Sequence, residues 1–196
     1  MNTKTYTLIV DALVEDGYII IQDALSSELC HSLLEDAKSN EGFTRAGISG
    51  ADDVHLDASK RRDKTLWLDE DSACKSEYLA FSKALQERLN RELYLGLSYY
   101  EAHYAIYEEG DFYEKHLDAF RGSKNRVVTT VLYLNEEWND VDGGELVIYG
   151  EDEKMIKKVA PNAGTLVVFL SDKFPHEVLV SNSTRYSIAG WFRCDR

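Results

Sequence analysis

Apolar and polar positions follow two different periods along the chain, and the change of period divides it. From Leu8 to Leu13 apolar residues recur at helical spacing, with Gly17 as the stop. Tyr18-Ile19-Ile20-Ile21 is a short β-branched run and predicts a strand. Ser26 is placed to cap a helix that carries Leu29, Leu33 and Ala37 on one face. The stretch from Phe43 to Asp63 is polar, with Gly47 and Gly50, and predicts a mobile loop or finger-like excursion. Tyr78, Phe81, Leu85, Leu89 and Leu93 form the clearest amphipathic helix, ending near Gly96.

From about Leu97 the period becomes two. Strands are predicted at Ser98–Tyr107, Phe112–Asp118, Val127–Leu134, Glu145–Tyr149, Ile156–Val159, Thr165–Phe169, His176–Val180 and Arg185–Phe192. Gly110, Gly122, Asp142-Gly143-Gly144, Pro161-Asn162-Ala163-Gly164 and Asn182 punctuate them. Short strands with such turn signals predict a sandwich, barrel or jelly roll. Helices gathered ahead of the block are expected on the outer face of one sheet. The expected organisation is a single domain over 1–196, with 1–96 as helical support and mobile loop and 97–196 as the β core.

Composition narrows the class. The chain has 196 residues, 44% hydrophobic and 29% charged, enough for a proper core and too apolar for a disordered chain. Its 35 acidic residues against 22 basic ones, with no long basic run, argue against a nucleic-acid partner. Cys30, Cys74 and Cys194 are far apart and lack a CxxC spacing, which predicts reduced thiols rather than a disulfide framework or thiolate zinc site. No signal peptide and no bilayer-length apolar run is visible, so a soluble, cytoplasmic chain without membrane contact is expected, and a monomer.

The candidate chemistry lies in the strand block. In a strand, residues i and i+2 share a face, so His116 and Asp118 can point at one metal ion. His176, at the start of another strand, supplies a third ligand. Two His and one carboxylate on one face of a metal form the facial triad of non-haem Fe(II) oxygenases. His55-Leu56-Asp57-Ala58 repeats the letters of His116-Leu117-Asp118-Ala119 but sits in a polar stretch without alternation. A loop holds ligands poorly, so the first copy is rejected. Arg185 opens the last strand with Ser187 and Ala189 on its face; its planar fork suits a carboxylate better than Lys would. Tyr133, on the inward parity of Thr129 and Val131, is placed to offer a phenol to the same group. His31 is expected on the surface, His103 as a packed or exposed histidine with a pocket-edge role as the alternative, and Trp67 and Trp138 as core plugs.

The run from Tyr107 to Trp191 resembles the double-stranded β-helix core of Fe(II)/2-oxoglutarate-dependent prolyl hydroxylases. The resemblance rests on His116-Leu117-Asp118, Tyr133-Leu134-Asn135 with Trp138, Asp142-Gly143-Gly144-Glu145-Leu146, and Phe174-Pro175-His176-Glu177-Val178 with Arg185-Tyr186-Ser187-Ile188. Arg61-Arg62-Asp63-Lys64 with Trp67 resembles the hypoxia-sensing prolyl hydroxylases and their bacterial relatives.

The resemblance implies Fe(II) on His116, Asp118 and His176. It places the distal carboxylate of 2-oxoglutarate on Arg185 and Tyr133, with Tyr107 and Ser187 in the same cofactor pocket. It gives Arg61, Asp63, Tyr113 and Trp191 to the substrate side, with residues 46–60 as a loop that folds over a peptide. The implied reaction consumes O2 and 2-oxoglutarate, releases succinate and CO2, and hydroxylates a prolyl residue of a protein or peptide, with ascorbate as a reductant. The chain stops at Arg196, where the hypoxia-sensing members continue into a C-terminal helix, and the loop between Tyr107 and His116 is slightly shorter; their target is therefore not carried over. Another oxygenase of the superfamily acting on a small molecule, a zinc hydrolase with the same ligands and a non-catalytic jelly-roll module are the alternatives. Zinc gives no reason for Arg185 and Tyr133.

Overall fold

The computed structural model describes residues 3–49, 54–55, 57–119 and 125–195. Among the described residues three α-helices, α1 (Thr3–Glu15), α2 (Ser27–Ser39) and α3 (Ala73–Leu93), accompany thirteen strands. These are β1 (Tyr18–Ile21), β2 (Thr44–Arg45), β3 (Ile48–Ser49), β4 (Val54–His55), β5 (Lys64–Trp67), β6 (Tyr99–Tyr107) and β7 (Tyr113–His116), then β8 (Arg126–Tyr133), β9 (Leu146–Tyr149), β10 (Met155–Val159), β11 (Leu166–Leu170), β12 (His176–Val178) and β13 (Arg185–Arg193). A seven-stranded sheet runs β1-β11-β8-β13-β6-β5-β2 and a four-stranded sheet β10-β9-β12-β7; β3 and β4 form a separate hairpin. All the pairings within these sheets are antiparallel.

Strand alternation assigns the two faces of the large sheet. Tyr104, Val128, Leu132, Leu166, Val168, Ile188 and Phe192 face the helices and pack with Leu33, Leu85 and Leu89. The intervening residues Ala105, Tyr107, Val131, Tyr133, Val167 and Phe169 face the small sheet and meet Leu146, Ile148 and Val178. The expected jelly-roll core with helices on one outer face is what the chain forms. Leu85 and Leu89 are fully buried, so truncating either to Ala would cost about 2–5 kcal/mol. Among the described residues no helix is long and apolar enough to cross a membrane.

The predicted N-terminal elements form, with longer helices than the apolar runs suggested. Ser26 caps α2 by accepting from the Leu29 N–H at 3.2 Å. α3 stops before Gly96, with Tyr94 in the left-handed region. The Asn90 side chain both donates to the Leu97 carbonyl and accepts its N–H, which fixes the turn into the β block.

Three expectations need correction. The polar stretch from Phe43 to Asp63 forms the finger-like excursion as the β3–β4 hairpin, but it also contributes β2 to the edge of the large sheet, because its backbone groups find partners that its side-chain pattern does not announce. Part of the expected peptide-covering loop, residues 50–53 and 56, lies outside the described residues. β5 lies in a segment not predicted as a strand; it pairs with β6 from Lys64 to Trp67. Trp67 is no core plug: it is 55% exposed. Trp138 is half-buried and donates its indole N–H to the Gly143 carbonyl at 2.9 Å.

Candidate metal centre and its pocket

The β7–β12 pairing sets His176 directly opposite His116. Asp118 arrives differently from the prediction. β7 ends at His116, so Asp118 sits in the bend that follows and not on the strand. Its carboxylate nevertheless turns inward: Oδ1 is 3.8 Å from His116 Nε2 and Oδ2 is 3.5 Å from His176 Nε2. One ligand atom from each of the three residues falls within 4.8 Å of the others.

The donor set is prepared for a metal. His116 Nδ1 lies 2.8 Å from the Glu114 carbonyl and His176 Nδ1 lies 3.0 Å from the Phe174 carbonyl. A carbonyl only accepts, so each Nδ1 carries the proton and each Nε2 presents a lone pair. Burial, reinforced by the neighbouring His176, pushes the His116 pKa down to about 3, so the ring is neutral and able to ligate. Burial pushes the Asp118 carboxyl up, but His176 and His116 outweigh it and hold it below the usual range.

Arg185 lies in the same pocket, 1% exposed. Its guanidinium is sandwiched between the Tyr107 and Tyr133 rings, 4.8 and 5.0 Å from their centroids, and donates through Nη1 to Ser187 Oγ at 3.1 Å. Arg185 Nε and Tyr133 Oη are buried with no hydrogen-bond partner. Two unpartnered donors, one of them on the guanidinium itself, are groups that a carboxylate could satisfy. Burial raises the Tyr133 phenol to about 12, so it stays a donor at neutral pH. The Asp142-Gly143-Gly144 turn serves this site: a Cβ on Gly144 would come within 3.1 Å of Arg185 Cδ and 2.7 Å of Ser181 Oγ.

On the other side of the triad, Arg61 and Asp63 pair with each other. Arg61 Nε and Nη2 reach the two Asp63 carboxylate oxygens at 2.6 and 2.9 Å, and Asp63 is wholly buried. Arg61 also donates to the Gly47 carbonyl at 3.3 Å, tying the pair to the segment ahead of the β3–β4 hairpin. Its guanidinium sits 4.5 Å from the Tyr113 ring, which stacks on His116 at 3.6 Å and 16°. Trp191 and His103 line the same pocket. His103 is packed between Trp67 and Trp191, ring centroids 5.2 and 5.3 Å away, and burial lowers its pKa to about 4. Thus the pocket-edge alternative for His103 and the packed reading both hold. His31 is exposed and meets Glu136 at 2.6 Å.

The rejected His-Leu-Asp copy lies elsewhere. His55 is on β4 opposite Ile48, and Asp57 accepts from the Ser59 N–H at 3.0 Å in the next turn.

Arg126 was missed. It lies 3.8 Å over the Trp191 ring and is held by Glu101 at 3.2 Å. Simple alternation back from Thr129 puts Val127 inward and Arg126 outward. A register shift between Phe192 and Arg193 reverses this, so Val127 packs with the helices and Arg126 faces the pocket. Only a bulge signal could have revealed this, and none is legible in the sequence.

A family model described as the 2OG-Fe(II) oxygenase superfamily matches residues 102–193. The human prolyl hydroxylase EGLN3 is 30% identical over 203 aligned positions, which cover 94% of this chain and 81% of that protein. The crystal structure of a Pseudomonas putida prolyl-4-hydroxylase gives a TM-score of 0.88 at 36% identity, covering 97% of this chain and 100% of that one. A Trichoplax adhaerens prolyl hydroxylase, solved in complex with a hypoxia inducible factor oxygen degradation domain peptide fragment, gives 0.85 at 27% identity, covering 98% and 94%.

Proposed function

The chain belongs to the 2OG-Fe(II) oxygenase superfamily, and from that premise we propose that it hydroxylates prolyl residues in a peptide or protein. His116, Asp118 and His176 would hold Fe(II), and Arg185 with Tyr133 the distal carboxylate of 2-oxoglutarate. The observation that carries this reading is the buried, unpartnered pair of Arg185 Nε and Tyr133 Oη in the pocket of the triad. A hydrolytic metal site has no use for them.

When bound, iron with O2 and 2-oxoglutarate supplies the oxidation of a substrate C–H bond, with succinate and CO2 as co-products. The chain's own residues do the rest. Arg185, held in place by the faces of Tyr107 and Tyr133 and by Ser187, would neutralise the co-substrate's far charge in a buried site. Val131, Leu146 and Val178 give the same cavity an apolar wall. The Arg61–Asp63 pair braces Tyr113, and Tyr113 braces His116. Trp191 forms a wall of the pocket and also of the adjoining vestibule, whose rim carries Arg45, Trp67 and Leu117. A prolyl ring enters through that vestibule, and its flanking backbone lies across the rim. The similarity to prolyl hydroxylases supports this substrate class. The three free cysteines suit a reducing compartment, and we place the chain in the cytoplasm on that ground.

The test supplies purified chain with Fe(II), 2-oxoglutarate and ascorbate to a proteome from cells lacking it. Oxygen-dependent succinate release with a one-oxygen gain on a prolyl residue is expected. Succinate release with a free metabolite oxidised, and no protein modified, would overturn the prolyl assignment.

A further inference from the structure

Asp118 is the triad member that no strand holds. β7 has ended before it, and the backbone from 117 to 119 makes a bend. A chain of two buried hydroxyls fixes its carboxylate. Thr129 Oγ1 lies 2.8 Å from Asp118 Oδ2 and 2.8 Å from Ser171 Oγ. Thr129 is 1% exposed and Ser171 0%.

The direction of this chain follows from proton counting. An ionised carboxylate only accepts, and each hydroxyl has one proton to give. Thr129 gives its proton to Asp118, so Ser171 must give its own to Thr129. Ser171 holds the backbone as well. Its carbonyl accepts from the Ala119 N–H at 3.3 Å, and its own N–H donates to the Val127 carbonyl at 3.0 Å. The clamp is thus rooted in β8 and the end of β11, and it grips both the Asp118 side chain and the residue after it.

Resting on the metal reading above, we propose that Thr129 is a positioning residue for the metal ligand Asp118. Its hydroxyl, oriented by Ser171, engages Oδ2, fixes the carboxylate's rotation and so favours Oδ1 as the oxygen offered to the metal. A carboxylate with both oxygens free can swing or take two positions on one ion. Holding one oxygen makes it a one-point ligand and keeps a coordination position for the co-substrate. Thr129 lines the pocket but is not one of the three ligating residues, and it acts through Asp118.

Mn(II) is the probe, because its binding can be read without turnover. Affinity is measured from loss of the free-ion paramagnetic resonance signal in wild type, Thr129→Val, Thr129→Ser, Ser171→Ala and His176→Ala. Thr129→Val keeps the shape and loses the hydroxyl, and should weaken Mn(II) by about 10–100-fold. Thr129→Ser should stay within about threefold of wild type, and Ser171→Ala should fall between the two. Wild-type affinity in Thr129→Val overturns the proposal. So does a Thr129→Ser as weak as Thr129→Val, since the methyl and not the hydroxyl would then matter. If circular dichroism shows Thr129→Val unfolded, Ser171→Ala decides: intermediate affinity supports the relay and wild-type affinity overturns it. His176→Ala binding Mn(II) as tightly as wild type would instead overturn the metal reading, and the proposal with it.

Discussion

His116 and His176 are direct cross-strand partners, their rings 4.3 Å apart between centroids. Two residues paired across antiparallel strands project to the same face. Their separation is therefore set by the β ladder and not by loop conformation. Replacing His116, Asp118 or His176 singly with Ala should abolish bound iron and succinate release together, while the far-ultraviolet dichroism stays that of the folded chain. His55→Ala with Asp57→Ala should keep the iron. Full turnover by Asp118→Ala would remove the triad assignment.

Arg185→Ala should raise the Michaelis constant for 2-oxoglutarate far more than it changes iron affinity. Losing a buried charge-assisted pair costs on the order of 2–5 kcal/mol. Tyr133→Phe removes one neutral donor, worth about 0.5–1.5 kcal/mol, and should act in the same sense by about tenfold or less. Arg185→Lys should rescue little, because an ammonium neither stacks between Tyr107 and Tyr133 as a plane nor reaches Ser187 while binding a carboxylate. An unchanged Michaelis constant in Arg185→Ala would assign the carboxylate to another group.

Asp63→Asn strands the Arg61 charge, whose side chain is 14% exposed against 0% for Asp63. Breaking one partner of such a pair costs about 3–5 kcal/mol, so a clear fall in melting temperature is expected. Replacing both, with Arg61→Met and Asp63→Leu, should recover much of that loss. The double variant should still bind peptide poorly and 2-oxoglutarate normally, because the tie from Arg61 to Gly47 is gone. Normal peptide binding by the double variant would show that the pair serves stability alone.

His103 makes stability depend on pH. Its ordinary value of 6.5 falls to about 4 in the folded chain, because burial disfavours the charged ring and Arg61 adds to that. Between those values the unfolded chain binds a proton that the folded chain refuses. Stability is therefore full above 6.5 and declines as pH falls towards 4, by roughly 1.4 kcal/mol per pH unit within the window. In metal-free protein, His103→Gln should lose less melting temperature between pH 7 and pH 5 than wild type does. Equal losses would show that His103 is not the group that titrates.

The linear sequence determined the strand block, most of the face assignments and the residue types of the site. Alternation is a local property, fixed by the two-residue repeat of an extended chain, so Arg185, Ser187 and Ala189 could be placed on one face, and Tyr133 on the inward parity of Thr129 and Val131, from the sequence; Trp191 came only from the family resemblance. Residue type suggested what those walls offer: imidazoles and a carboxylate that could hold a metal, a guanidinium and a phenol that could hold an acid. Partners brought from distant strands decided the rest. Asp118 was placed inward by a two-residue rule that does not apply to it, since β7 stops at His116 and the hydroxyls of Thr129 and Ser171 do the aiming. β2 and β5 exist because β6 offers its edge and β5 then offers its own, not because Thr44 to Trp67 reads as strand. Arg126 faces the pocket because one residue of register is lost against β13, and a shift of one residue exchanges the faces. Each of these depends on a hydrogen bond or a ladder between segments far apart in the chain, which residue type and period do not encode.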